Sequence, residues 1–260
     1  MILLVGGTSE TAPLARALLD SGHRVLVSLA TETELELPED PVLTVRRGRL
    51  DKSGFKDLIQ RHSIDRVVDA SHPFAGILRR ELTEVCSALG IERIRFERSA
   101  FDPGPGVDVL ENHEAAARSA TSRGQPVLLT TGSRYLRPYV DEARRRGVEL
   151  YARVLPGAET LQACRAAGLC DERIEFARGP FTVAQNREIL RRWGIGVLVA
   201  KNGGVASGLA ERMEAARREG VPVVLVRRPD PESGAANGVE ELCRRIAVDS
   251  RVSLPSRSPR

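Results

Sequence analysis

Seven glycines, Gly22, Gly90, Gly124, Gly147, Gly168, Gly194 and Gly220, each stand just past a helix-like run and just before a short apolar run. A glycine there is a common stop for an α-helix, because the left-handed residue that closes the last turn is unstrained without a Cβ. Seven repeats of helix, stop and strand leave few architectures open. Strands alternating with helices of about 10–15 residues pair in parallel and are covered by helices on both faces.

The pattern predicts a first series of strands at Ile2–Val5, Val25–Ser28, Val42–Arg46, Arg66–Asp69 and Arg93–Glu97. Helices are expected at Glu10–Ser21, from a Ser53 cap to Arg61, and at Ile77–Leu89. Asp102-Pro103-Gly104-Pro105-Gly106 then reads as a linker. Beyond it, strands are expected at Val127–Thr130, Leu150–Val154, Ile174–Ala177, Val197–Ala200 and Val223–Arg227. The helices between them include one capped by Asn112, one opened by the capping box Thr182-Val183-Ala184-Gln185, and Leu209–Glu219. The expectation is an α/β protein of two doubly wound, parallel-sheet domains, 1–98 and 99–247. Val239–Ala247 would be the last helix, and 248–260 a disordered tail of Ser, Pro and Arg.

Composition narrows the function. No apolar run approaches the roughly 18 residues of a membrane span, and the first residues read as a strand without the basic flank of an export signal. Cys86, Cys164, Cys170 and Cys243 form no C-x-x-C pair, so reduced thiols and a cytoplasmic location are expected. The 39 Lys and Arg against 35 Asp and Glu leave a net charge of +4, with no aromatic-interleaved basic stripe, so nucleic acid is not an expected partner. A nucleophile elbow, a P-loop and metal-ligand spacing are all missing from the sequence. His23 reads as structural; His62 and His113 read as surface positions.

In an open parallel sheet a ligand binds beyond the carboxyl ends of the strands. Asp69, Ser71 and His72 stand there after the fourth strand, in a turn stiffened by Pro73. The competing reading is an ordinary loop whose polar residues cap the next helix. Gly6-Gly7-Thr8-Ser9-Glu10 links the first strand to the first helix, where glycines and a helix N-terminus suit a phosphate, although the full G-x-G-x-x-G fingerprint is absent and a plain tight turn is the alternative. Ser28 ends the second strand and Arg46 the third, a pair suited to a 2′-phosphate, with Glu32 nearby weakening that inference. In the second half Arg134, Arg153, Arg178, Lys201, Arg227 and Arg228 fall near strand ends, on one edge of one sheet. Unpaired cations gathered at one edge call for a polyanionic ligand; a solvated surface is the alternative.

Several of these segments together resemble the signature of the precorrin-6A reductases of cobalamin biosynthesis. They are Gly-Gly-Thr-Ser-Glu at 6–10, Val-Asp-Ala-Ser-His-Pro-Phe-Ala at 68–75, Leu-Leu-Thr-Thr-Gly-Ser-Arg at 128–134 and Arg-Val-Leu-Pro at 153–156. Gly-Pro-Phe at 179–181, Lys-Asn-Gly-Gly at 201–204 and Val-Pro-Val-Val-Leu-Val-Arg-Arg-Pro at 221–229 complete the set. The family often has Ser where Gly203 stands, which removes a side-chain role there and leaves Lys201 intact.

The resemblance implies two Rossmann-like domains with an interdomain cleft, and NADPH (or NADH) reducing one double bond of precorrin-6A or cobalt-precorrin-6A to give precorrin-6B. The substrate is then a carboxylate-rich tetrapyrrole. Gly6, Gly7, Thr8, Ser9, Glu10, Ser28 and Arg46 would hold the cofactor. Ser71, His72, Phe74, Thr131, Gly132, Arg134, Arg153, Arg178, Lys201 and Arg227 would hold the substrate. His72 and Asp69 are the catalytic candidates, with His72 or water as the proton donor. The rival functions are a non-catalytic dinucleotide sensor and a two-lobed tetrapyrrole lyase or synthase without nicotinamide.

Overall fold

In a computed structural model, residues 1–30, 35–97, 101–204 and 207–252 are described, the last five as backbone only. The chain divides into two compact units, Met1–Ser99 with Pro229–Arg260, and Ala100–Arg228.

The first unit contains β1 (Ile2–Val5), α1 (Thr11–Asp20), β2 (Val25–Leu29), β3 (Leu43–Arg47), α2 (Lys52–Arg61), β4 (Arg66–Asp69), α3 (Gly76–Leu89) and β5 (Glu92–Arg95). Its sheet is parallel throughout, in the order β3-β2-β1-β4-β5. β1 and β2 are nearly continuous Val, Ile and Leu, and with β4 they are buried on both faces, whereas the edge strand β3 is largely exposed. α2 is capped by Asp51, whose side chain accepts from Gly54 N at 2.8 Å; the expected cap, Ser53, donates to that same carboxylate.

The second unit opens with β6 (Asp108–Leu110), too short for the sequence pattern to reveal. It continues with α4 (His113–Thr121), β7 (Val127–Leu129), α5 (Arg137–Arg146), β8 (Leu150–Val154), α6 (Ala158–Ala167), β9 (Ile174–Phe176), α7 (Val183–Arg192), β10 (Val197–Lys201), α8 (Leu209–Arg218) and β11 (Val223–Val226). This sheet is also parallel, in the order β6-β11-β10-β7-β8-β9. The capping box at Thr182 and Gln185 is formed, and the Asn112 side chain caps α4. The seven helix-stop glycines all have positive φ, from +56° to +92°.

The last helix, α9 (Val239–Val252), corrects the expected domain boundary. It belongs to the first unit, not to a domain running from 99 to 247. The pleat explains why. Leu3, Val5 and Leu26 face α2 and α3, packing on Phe55, Ile59, Leu82 and Val85. Ile2, Leu4, Val25, Val27 and Val68 face the other way, where α1 supplies Leu14 and Leu18. One helix cannot cover five strands, and Leu242 and Ile246 of α9 complete that layer. The segment before α9 adds to the edge, with Ala236 bridging Phe96 in parallel, Ala236 N donating to Arg95 O at 2.8 Å and Glu97 N to Ala236 O at 2.9 Å. Residues 248–252, expected in a disordered tail, continue α9; 253–260 lie outside the described residues.

This packing makes a separable prediction. Leu242→Ala removes a fully buried side chain and should destabilise the first unit by roughly 2–5 kcal/mol. Trp193, the single tryptophan, reports the second unit. Denaturant melts followed by far-UV circular dichroism should shift, while the Trp193 transition stays in place. A shift of the Trp193 transition alone would contradict the assignment.

Candidate functional site

The strand order of the first sheet reverses between β1 and β4, since β2 and β3 lie to one side and β5 to the other. The Gly6–Glu10 and Ala70–Phe74 segments leave from this switch point. They touch: Thr8 Oγ1 donates to Ala70 O at 3.4 Å. The first loop is held from within, because the Thr11 hydroxyl accepts from Gly7 N at 2.9 Å and Thr8 N at 3.1 Å. A Cβ on Gly6 would lie 2.4 Å from Thr11 Cγ2, so this glycine is required by packing. Gly7 differs. Its φ is +110° and a Cβ would meet nothing within 4 Å, leaving open space over the arch at the start of α1.

Ser28 and Arg46 are register partners on β2 and β3. Arg46 Nη1 donates to Ser28 Oγ at 3.0 Å and Nη2 to Arg47 O at 2.9 Å, both neutral acceptors. Burial lowers the Arg46 pKa, so this half-buried cation lacks a compensating carboxylate among the described residues. Glu32, expected nearby, lies outside those residues. An arch open at Gly7, a helix N-terminus and an uncompensated Arg beside a Ser fit the phosphates of a dinucleotide.

Asp69 is the main correction. Although its strand end faces the ligand side, the carboxylate is 0% exposed and fully engaged. Oδ1 accepts from Ser71 N at 3.1 Å and Arg95 Nη1 at 3.0 Å, and Oδ2 accepts from Arg93 Nη1 at 2.9 Å. Arg95 continues to Glu97 at 2.8 Å, and Arg93 to Glu232 in the returning segment. Such a carboxylate organises the site and cannot reach substrate. Ser71, also buried, accepts from Arg95 Nη1 at 3.2 Å. The side chain of neither Ser71 nor His72 caps α3, whose N-cap is Ala75 without a side-chain bond. His72 is half-buried, with Nδ1 accepting from Phe74 N at 3.2 Å and the two rings 5.8 Å apart. Arg79 of α3 donates to Pro73 O and holds the turn.

The second sheet has its own switch point, between β7 and β10. The expected row of unpaired cations does not survive here. Arg153 is buried, paired with Glu175, bonded to Asn186 Oδ1 at 2.9 Å, and stacked 4.1 Å over Phe181. Arg227 lies 3.2 Å from Glu111 on the surface, and Arg178 is exposed. Arg134 is exposed and Lys201 half-buried. Burial first, then Arg134 and Arg212, lowers the Lys201 pKa to about 8. Thr131 is buried and Gly132 half-buried between β7 and Arg134.

Sequence reasoning missed two residues of this region. Arg212 shares the inward face of α8 with Leu209 and Ala216, a charge on an apolar stripe, and that was the available signal. His113, expected at the surface, opens α4 on the face of Ala116 and Ala120 and is 8% exposed. It meets Tyr139 OH at 2.9 Å and stacks 4.5 Å from Tyr135. Burial, then Lys201, depresses its pKa to about 4, so it is neutral at pH 7.

The model of the precorrin-6x reductase CbiJ/CobK family matches residues 1–247. The chain belongs to this family. It is 30% identical over 257 residues to the cobalt-precorrin-6A reductase of Priestia megaterium, covering 96% of this chain and 100% of the relative. It is 33% identical to the precorrin-6A reductase of Rhodobacter capsulatus over 230 residues, 88% of each chain. The solved CobK precorrin-6A reductase is 29% identical and superposes with a TM-score of 0.76 over 95% of this chain and 96% of that one. The precorrin-6x reductases are oxidoreductases of cobalamin biosynthesis acting on a CH–CH bond, chemistry that calls for a nicotinamide cofactor. No helix among the described residues is long and apolar enough to cross a membrane.

The organising role of Asp69 in this precorrin-6x reductase can be separated from a catalytic one. Asp69→Asn leaves Arg93 and Arg95 without their counter-charge and should cost roughly 3–5 kcal/mol of stability. Thermal melts should show the loss, while the fraction still folded keeps its turnover number. A stable variant with reduced turnover would return Asp69 to the catalytic set.

Proposed function

We propose that this chain uses NADPH to reduce one double bond of precorrin-6A, or of its cobalt form, giving precorrin-6B. Relatives bearing both substrate names match the chain, so the reading covers both. The observation that carries it is the Ser28–Arg46 pair beside the open Gly7 arch, in a chain that belongs to a reductase family. Gly6, Gly7, Thr8, Ser9 and Glu10 receive the pyrophosphate at the start of α1. Ser28 and Arg46 receive the 2′-phosphate, Arg46 by a charge-assisted bond. When bound, the cofactor supplies the hydride.

The protein then orients the macrocycle and supplies a proton to the carbon beside the hydride acceptor. His72 positions the donor in this reading: its Nδ1 accepts the Phe74 N–H, so Nε2–H holds a water that passes a solvent proton to that carbon while the ring keeps its own proton. Ser71 and Phe74, next to it, bind substrate. Thr131, Gly132, Arg134 and Lys201 hold carboxylate arms of the tetrapyrrole. The reaction is cytoplasmic and involves neither nucleic acid nor a membrane partner.

Fluorescence titration with NADPH and NADH tests the cofactor half. Arg46→Glu turns an attraction for the 2′-phosphate into a repulsion. It should weaken NADPH by roughly ten- to hundredfold, the worth of one charge-assisted bond, and NADH by less than about twofold on that scale. Equal losses would move the 2′-phosphate elsewhere. If neither cofactor binds the wild-type protein, the reductase reading fails.

A further inference from the structure

Apolar side chains scattered singly over a surface are ordinary, whereas a row of them marks a place where something binds. The second unit has such a row. Its sheet sets β7, β8 and β9 side by side, and an exposed apolar side chain stands at or beyond the carboxyl end of each: Tyr135, Leu155 and Phe176. Phe176 is the register partner of Val154 at the end of β8, and Leu155 is the next residue. The turn Ser133–Tyr135 packs against α6, the helix that the chain enters from Leu155 through Gly157.

Tyr135 is 38% exposed although one face of its ring is covered. The His113 imidazole lies 4.5 Å from it and within 14° of parallel, so the exposure falls on the outer face and the edge. His113 is itself buried. A hydrogen bond of 2.9 Å between its Nδ1 and the hydroxyl of fully buried Tyr139 fixes the plane of the imidazole. Its Nε2 has no hydrogen-bond partner among the described residues, a cost that a leucine filling the same space would avoid. What the imidazole adds is a flat, oriented support. An aromatic ring held in this way is set in place before a ligand arrives.

Neighbouring strands lie about 4.8 Å apart, so three strand ends span about 10 Å. A tetrapyrrole ring covers that span and a single nucleobase does not. Three side chains also fall well short of the roughly 800 Å² per partner of a stable protein interface. The row stands beyond the carboxyl ends of the strands, where a parallel sheet takes its ligand. We propose that Tyr135, Leu155 and Phe176 form an apolar shelf at the ends of β7, β8 and β9 that receives one flat face of the conjugated macrocycle, with the Tyr135 ring stacked on it. The shelf reads the unsaturated ring and not its charged arms. The shelf itself rests on the geometry of the second unit; naming a macrocycle as its occupant rests on the reductase reading.

Uroporphyrin and uroporphyrinogen carry the same acetate and propionate arms, but only uroporphyrin has a flat, conjugated ring. In uroporphyrinogen saturated carbons separate the pyrroles and the ring puckers. Anaerobic calorimetric titration of the full-length protein with each therefore separates the ring face from the arms. Tyr135→Ala should weaken uroporphyrin by roughly two- to tenfold, as expected for the loss of one stacked aromatic pair. Tyr135→Phe, which keeps the ring, should bind uroporphyrin within about twofold of wild type on that scale. Tyr135→Ala should change the affinities for uroporphyrinogen and for NADPH by less than about twofold on the same scale. Leu155→Ser and Phe176→Ser should each weaken uroporphyrin more than uroporphyrinogen. These side chains are exposed, and circular dichroism checks that each variant is folded.

The inference is overturned if the wild-type protein does not bind uroporphyrin, or if Tyr135→Ala weakens both tetrapyrroles equally or neither. Loss of NADPH in place of uroporphyrin overturns it too, by assigning the Tyr135 ring to the cofactor. So does a Tyr135→Ala variant that sediments as a smaller species with its uroporphyrin affinity unchanged, since the row would then cover a second copy. Absence of precorrin-6A reduction would refute the reductase reading without changing the titration.

Discussion

A carboxylate withdrawn from water at the end of a strand, as Asp69 is, needs fixed donors in place of its hydration shell. Arg93, Arg95 and the Ser71 amide supply them, and the consequences spread through the first unit. The two arginines come from β5, so β4 and β5 are joined by charge as well as by their ladder. Arg93 reaches Glu232, which draws the returning segment onto the sheet edge and delivers α9 to the uncovered face. The Ser71 amide turns the chain away from β4, and Arg79 pins the Pro73 carbonyl. His72 is thus set on a stiff turn beside the Gly6–Glu10 arch, by a buried network behind it.

The parallel sheets were legible because the evidence for them is local. Strands such as Ile2–Val5, Arg66–Asp69 and Leu150–Val154 are short runs built on Val, Leu and Ile, and each boundary falls where the residue pattern puts it. Where α9 docks was not legible. That depends on how many helices cover each face of the first sheet, a property of topology that Val239–Ala247 does not carry in its own sequence. The Pro/Gly linker follows one crossing of the chain between units, and Pro229-Asp230-Pro231-Glu232-Ser233-Gly234, of similar composition, follows the second.

Site residues divide in the same way. Ser28 and Arg46 meet because parallel register places the last residues of adjacent strands side by side, so spacing was enough. Asp69 and Arg153 were misread because a strand end says where a side chain starts, not what it bonds. Their partners, Arg93 and Glu175, lie 24 and 22 residues away and share the same layer. Arg212 and His113 lie on helices and not at strand ends, although both break an otherwise apolar face.

Reduction of the macrocycle by a nicotinamide consumes the cofactor, so cofactor and macrocycle must change together. Anaerobic incubation of the full-length protein with precorrin-6A and NADPH, recording the absorbance of both, measures this directly. The account predicts that the reduced nicotinamide band disappears in step with the spectral change of the macrocycle, one equivalent for each product formed. A macrocycle that changes without consuming NADPH, or NADPH that binds and is never oxidised, would contradict it.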